Sequence, residues 1–169
     1  GSRFLKCGPG FGGSCFQKDI LNLVYLCRHY GLVEVAEYWE QVVSLNNWQQ
    51  QRIAKLVVQR LFNTVAGKRI ALFGFAFKAD TNDTRESPAI RIAKDLLEEG
   101  AQLSIYDPKV SVDQIRHDLG VPSNDRDACW EQAADAVPAC QGADAVVILT
   151  EWEQFKTIDW RAIASVMRR

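Results

Sequence analysis

From Gly67 onward the sequence falls into a regular alternation. "KRIALFGFAF" is a short, almost continuous apolar run, the pattern of a strand covered on both faces. "SPAIRIAKDLLEEG" then carries a helical period, with Ser87 placed as N-cap, Pro88 in the first turn and Gly100 as the stop. "AQLSIYDP" reads as a second strand, "SVDQIRHDLG" as a short helix, and "DRDACWEQAADAVPAC" includes another. "ADAVVILTEW" holds a third strand, Ala145 to Thr150, and "DWRAIASVM" a final helix. Strands alternating with helices predict an α/β fold with a parallel sheet. In such sheets ligands collect at the carboxyl ends of the strands. The candidate pocket residues are therefore Phe77, Lys78, Asp107, and Thr150 with Glu151.

The part before this alternation is helical. "DILNLVYLCRHYG" puts Ile20, Leu23, Val24 and Cys27 on one face, starting near Lys18 and ending at Gly31. A longer helical stretch runs from about Val33 to Thr64, with a polar centre, "SLNNWQQQ". It has more apolar surface than one neighbour needs, which suits a link between domains or a subunit interface. A helix broken near Asn46 and folded back on its own core is the alternative. The boundary with the sheet falls near Val65 to Lys68. The expected divisions are a glycine loop (1–17), a central helical region (18–66) and a sheet domain (67–169). The chain begins in mid-loop and stops where another strand is expected, so both ends read as cuts through a larger protein.

"GPGFGG" fits G-x-G-x-x-G letter for letter. The dinucleotide fingerprint, however, follows a strand and precedes an acidic residue about 20 positions on. Here only "RFLKC" precedes it, and Pro9 removes a backbone N–H from a motif that works by donating them. The better reading centres on Cys15. It sits just ahead of a helix N-terminus, with Lys18 one turn further, and both features favour a thiolate. Glycines 10, 12 and 13 let backbone approach a ligand and let the loop flex. Asp19 is placed to orient or deprotonate water. In the second loop, "FGFAFKADTNDTRESPA", Lys78 and Arg85 bracket a polar segment and suggest phosphate recognition. Asp80, Asp83 and Glu86 are equally able to neutralise them as a solvated charged loop.

Composition narrows the remaining classes. With 47% hydrophobic and 24% charged residues the chain can build a core. Its formal net charge of −1 offers no broad basic field for a nucleic-acid backbone. No apolar run approaches the roughly 18 residues of a membrane span, and no signal peptide is visible. Five cysteines, an odd number without C-x-x-C, argue against a disulfide framework and for a reducing cytoplasm. Cys27, Cys129 and Cys140 fall in helical patterns as core or half-buried residues. His29 and His117 complete no ligand set, so no metal is expected.

"FLKCGPGFGGSCFQKD" and "GFAFKADTNDTRESPA" resemble the UDP-glucose 6-dehydrogenases, within the wider family of nucleotide-sugar dehydrogenases. The resemblance continues through the helices between them to "YDPKV" and "AVVILTEW". It implies a central and C-terminal part only: long central helices followed by a Rossmann-like parallel-sheet UDP-binding domain. The true NAD fingerprint would lie upstream, so the isolated chain is expected to be inactive. The implied roles are Cys15 as nucleophile and Asp19 as the group that positions water. Lys6, Cys7, Gly8, Pro9, Gly10, Phe11 and Gly12 would wrap the UDP-sugar, with Phe77 and Lys78 opposite. Cys15, Phe16, Gln17, Lys18 and Arg85 would approach NAD. A homodimer through the central helix, or a higher oligomer, is implied. The alternatives are a dehydrogenase of UDP-N-acetylmannosamine or GDP-mannose, and a non-catalytic UDP-binding and dimerisation module.

Overall fold

The computed structural model describes residues 7–120 and 129–168. Two helices come first, α1 (Phe16–His29) and α2 (Val33–Arg60). α1 starts two residues before the expected Lys18 and ends against Tyr30 and Gly31, with Gly31 at φ +74°. α2 is one continuous helix of 28 residues, about 42 Å long at 1.5 Å per residue. It does not break at Asn46, because neither Gly nor Pro interrupts it and the polar segment there is used, as shown below. The two helices form a hairpin that buries Ile20, Val24 and Cys27 of α1 against Ala36, Trp39, Val42 and Val43 of α2. Much of their outer surface stays apolar and exposed, including Tyr25, Tyr30, Leu32, Tyr38, Leu45 and Trp48.

The sheet follows: β1 (Arg69–Phe73), α3 (Pro88–Glu98), β2 (Gln102–Tyr106), α4 (Val112–Leu119), β3 (Trp130–Gln132), α5 (Ala136–Ala139), β4 (Ala145–Ile148), α6 (Glu153–Lys156) and α7 (Trp160–Val166). All pairings are parallel and the spatial order is β3-β2-β1-β4. β1 is therefore central, and Ile70, Ala71, Leu72 and Phe73 are fully buried, as the continuous apolar run predicts. Ser87 caps α3 by accepting from the Ala89 N–H at 3.3 Å, and its hydroxyl donates to the Phe75 carbonyl at 2.7 Å.

One expectation needs correcting. "DRDACWEQAADAVPAC", of which 125–128 lie outside the described residues, holds a strand as well as a short helix. Cys129 is not in a helix; it is exposed at the entry to β3, where its carbonyl accepts from the Leu103 N–H at 2.7 Å. A three-residue strand is too short to show its period, and its Glu and Gln hide it further. Cys27 and Cys140 are buried as expected.

The order β2-β1-β4 makes the β1–β4 boundary a topological switch point, since the chain leaves β1 toward β2 on one side and returns with β4 on the other. A crevice opens there at the carboxyl ends. Gly74 permits it. At φ +90° it lies so close to Thr150 that a Cβ would meet the Thr150 Cβ at 2.4 Å. The Thr150 hydroxyl donates to the Ala76 carbonyl at 2.6 Å and ties the two strand ends together.

Candidate functional site

The glycine loop crosses this crevice, held from two sides. On one side it lies on the loop between β1 and α3. The Gly13 N–H donates to the Arg85 carbonyl at 2.8 Å. A Cβ on Gly12 would stand 2.3 Å from the Glu86 carbonyl oxygen, and one on Gly13 would stand 3.0 Å from the Phe77 ring. Gly12 therefore serves backbone-on-backbone packing of two loops, and Gly13 makes room for the Phe77 ring, beyond any approach to a ligand. Glu86 accommodates the contact at φ +53°, and its carboxylate accepts from the Gln17 amide at 3.3 Å.

On the other side the loop is held by α2. The Asn46 side chain, 5% exposed, accepts from the Phe11 N–H at 2.8 Å and donates to the Phe11 carbonyl at 3.1 Å. Gln49 donates to the Gly8 carbonyl at 2.8 Å. Sequence reasoning assigned these amides no role. The signal was there: a polar patch in the middle of an otherwise amphipathic helix, which lowered the helical pattern without ending it.

The result is a crevice of about 650 Å³. Cys7, Gly8, Pro9, Gly10, Phe11 and Gly12 form one wall, and Phe77, Lys78, Leu149, Thr150 and Glu151 face them from the strand ends. Val42, Leu45, Asn46 and Gln49 close it from α2. Phe11 packs edge-to-face on Phe16, centroids 4.7 Å apart, and Phe16 also lines this crevice. Lys6 lies outside the described residues. A second recess of about 450 Å³ is lined by Gly13, Ser14, Gln17, Lys18, Leu21, Arg85 and Glu86. Lys78 and Arg85 thus line different cavities and do not bracket a single anion.

Cys15 is in the lining of neither cavity but joins residues of both: its preceding neighbour Ser14 lines the recess and its following neighbour Phe16 lines the crevice. The thiol is exposed, at the N-cap of α1, with the Ser14 hydroxyl 3.4 Å away. Asp19 is one helical turn on, with its N–H donating to the Cys15 carbonyl at 2.8 Å, so both side chains emerge on the same face. Arg85 is held by Asp83 through hydrogen bonds of 2.6–3.1 Å. That pairing lowers the Asp83 carboxyl pKa and raises that of the Arg85 guanidinium, with a smaller upward contribution from Cys15 nearby.

Asp107, expected in the pocket, is occupied elsewhere. It is buried, and Oδ2 accepts from the Phe75 and Ala76 N–H groups at 2.7 and 3.1 Å and from the Trp152 indole at 3.3 Å. Oδ1 accepts from Lys109 and Val110 at 2.9 and 3.0 Å. It shapes the crevice floor and does not line it. Among the described residues no cluster of three His, Cys, Asp or Glu is placed to hold a metal, and no helix is long and apolar enough to cross a membrane.

The recess sets two cations, Lys18 and the Asp83-paired Arg85, beside the first turn of α1, with Glu86 also in its lining.

Comparison with known proteins places this geometry. The UDP-binding domain of the UDP-glucose/GDP-mannose dehydrogenase family matches residues 71–169, and the central domain of the same family matches residues 1–48. UDP-glucose 6-dehydrogenase of Bos taurus is 53% identical over 99% of this chain and 35% of its own length. UDP-glucose 6-dehydrogenase 4 of rice, Oryza sativa, is 50% identical over 100% of this chain and 38% of its own. The chain thus spans little more than a third of these relatives. The solved UDP-glucose dehydrogenase of Pyrobaculum islandicum superposes with a TM-score of 0.77 at 30% identity, covering 91% of this chain and 33% of that one. The UDP-D-ManNAc dehydrogenase of Pyrococcus horikoshii superposes with a TM-score of 0.66 at 26% identity, covering 96% and 34%. The chain belongs to the UDP-glucose/GDP-mannose dehydrogenase family.

Proposed function

We propose that this chain supplies the nucleophile loop and the nucleotide-sugar crevice of an NAD-dependent UDP-glucose 6-dehydrogenase, which oxidises UDP-glucose to UDP-glucuronate. The observation that carries the reading is the exposed thiol of Cys15, flanked in the chain by Ser14 of the cationic recess and Phe16 of the aromatic-walled crevice. A group that must meet both a sugar carbon and a hydride acceptor belongs there.

In this reading the crevice takes the UDP-sugar. Phe11, Phe16 and Phe77 give it apolar walls that exclude water, and Lys78 offsets diphosphate charge. Lys18, Gln17 and Arg85 line the recess and would hold NAD there, two cations at a helix start suiting its diphosphate. Each NAD, when bound, would accept one hydride, so two are used in turn for the four-electron oxidation. Cys15 acts at the aldehyde level of the sugar C6. Its sulfur forms a bond to the carbonyl carbon, and the oxygen takes up a proton to give a thiohemiacetal. Loss of the second hydride and the hydroxyl proton leaves a thioester on Cys15. Asp19 then takes a proton from water as the water oxygen adds to the thioester carbon. The C–S bond breaks, the carboxylate leaves, and the thiol is restored. Dividing a four-electron oxidation through a covalent intermediate lowers each barrier.

The exposed apolar face of α1 and α2, with Tyr25, Tyr38 and Trp48, is read as the surface of a homodimer. Identities of 50–53% with UDP-glucose 6-dehydrogenases favour glucose as the sugar. A substrate panel on the full-length protein tests this. UDP-glucose is expected to yield two reduced NAD per sugar and at least a tenfold higher kcat/KM than UDP-N-acetylmannosamine or GDP-mannose. Preference for either of the latter overturns the assignment. UDP binding with no turnover of any sugar would point to a non-catalytic module.

A further inference from the structure

We propose that Asn46, on α2, is a positioning residue for Cys15; this rests on the reading of Cys15 as nucleophile. The helix hairpin sets up the relation. Because α1 doubles back on α2 through the turn at Tyr30–Leu32, the residues just ahead of α1 fall against the middle of α2. Asn46 is there, and it holds the loop at Phe11. A single carboxamide bonds both backbone groups of Phe11, accepting from its N–H and donating to its carbonyl. This is the pairing a neighbouring strand would make, supplied by one side chain.

Two further observations show that the seat is tight. Gly10 adopts φ +125° directly over the amide, and a Cβ there would meet Asn46 Oδ1 at 2.7 Å and Gln50 Cγ at 3.2 Å. Gln49, on the next turn, holds the Gly8 carbonyl at 2.8 Å. Phe11 in turn packs edge-to-face on Phe16, which adjoins Cys15 in the chain. The chain of contact therefore runs from Asn46 to the Phe11 backbone, from the Phe11 ring to Phe16, and from Phe16 to the nucleophile. A loop rich in glycine is otherwise free to adopt many conformations. Asn46 selects one of them, in which Cys15 joins residues of the two cavities. Asn46 also lines the crevice but touches neither of the reacting atoms in this scheme; its effect on Cys15 runs through the loop.

The chemistry of the amide makes the role testable. An aspartate at this position is nearly isosteric. As a carboxylate it accepts from the Phe11 N–H, but it sets a negative oxygen against the Phe11 carbonyl. Once protonated it donates to that carbonyl as the amide does. Burial and the facing carbonyl raise the pKa of the introduced carboxyl. The defect in Asn46→Asp is therefore expected to be pH-dependent in a way that loss of folded protein would not be.

The experiment uses the full-length protein, with kcat for UDP-glucose and the alkylation rate of the Cys15 peptide by iodoacetamide measured from pH 5.5 to 9. Asn46→Asp, Gly10→Ala and Cys15→Ala are compared with wild type. Asn46→Asp is expected to lose at least tenfold in kcat at pH 8, with a ratio to wild type that recovers at least threefold below about pH 6. Its Cys15 alkylation rate is expected to shift with the same pH dependence relative to wild type. Gly10→Ala, which pushes the loop off Asn46 from the other side, is expected to lose at least tenfold with no such recovery. A kcat ratio for Asn46→Asp that is within twofold of one, or constant across pH, overturns the proposal while an inactive Cys15→Ala leaves the nucleophile reading intact. Turnover by Cys15→Ala overturns both.

Discussion

Gly12→Ala isolates the contact between the two loops. Gly12 does not need left-handed backbone, since its φ lies outside that region, so any effect of a methyl group is steric. The added Cβ would stand 2.3 Å from the Glu86 carbonyl oxygen, 2.9 Å from its carbon and 3.1 Å from the Phe77 Cβ. Two of these are backbone atoms and cannot swing aside. To reach ordinary contact near 3.4 Å the loops must part by about 1 Å. That separation stretches or breaks the Gly13 N–H to Arg85 carbonyl bond, now 2.8 Å. Overpacking costs about 1–3 kcal/mol and the lost hydrogen bond about 1 kcal/mol, so the expected destabilisation is about 2–4 kcal/mol. A displacement of about 1 Å at a reacting centre costs on the order of 100-fold in rate. Urea unfolding reads the first quantity and kcat of the full-length protein the second. Gly8→Ala is the control for stability, since no atom lies within 4 Å of the new methyl. If Gly12→Ala stayed within about 0.5 kcal/mol of wild type and within about twofold in kcat, the two loops would not be locked as described.

Three further outcomes follow from buried and paired groups. Asp107→Asn keeps one acceptor oxygen but turns an NH2 toward at least two of the N–H groups now bonded to the carboxylate, and each orphan costs about 1–3 kcal/mol. A loss of about 2–5 kcal/mol in denaturant unfolding, with an altered Trp152 emission, is expected. Burial pushes the Cys140 thiol up to about 11, so its contribution to stability is complete below the ordinary thiol range near 8.5 and is lost as pH rises through about 11. Wild type is expected to weaken over that interval and Cys140→Ala to weaken less. Arg85 holds the Asp83 carboxyl below its usual range, so that pair stabilises above about pH 4 and its contribution vanishes as pH falls through the lowered value. The stability gap between wild type and Asp83→Asn is expected to close in acid and to be small throughout, because Arg85 is exposed.

The sheet was legible where burial makes a strong pattern. The run of Ile70 to Phe73, covered on both faces, and the Ser87–Pro88 start of α3 announce themselves in one dimension. β3 did not, because Trp130–Gln132 is too short and too polar to carry a period. The sequence singles out Cys15, with a lysine and a carboxylate within one helical turn, and the structure sets its thiol exposed at the start of α1. The site was not legible at Asn46, Gln49 and Asp107. Their meaning lies in backbone groups far away in sequence, 35 residues for Asn46 and 41 for Gln49. A polar residue inside an amphipathic helix reads locally as a defect, and only the folded loop shows what it bonds. The glycines were half legible: the sequence marks a place of close approach, while the structure shows that much of the approach at Gly12 and Gly13 is to the neighbouring loop.

The central claim, that Cys15 carries the sugar as a thioester, is tested most directly by trapping. In the full-length protein Asp19→Asn removes the group proposed to take the proton from water, which slows hydrolysis more than the earlier steps. Incubation with UDP-glucose and NAD, an acid quench and peptide mass spectrometry are expected to show the uridine-diphosphate hexuronyl adduct on the Cys15 peptide, lost in the Cys15→Ala, Asp19→Asn double variant. Continued oxidation of UDP-glucose with no adduct on Cys15, or an adduct on Cys7 in its place, would contradict the account.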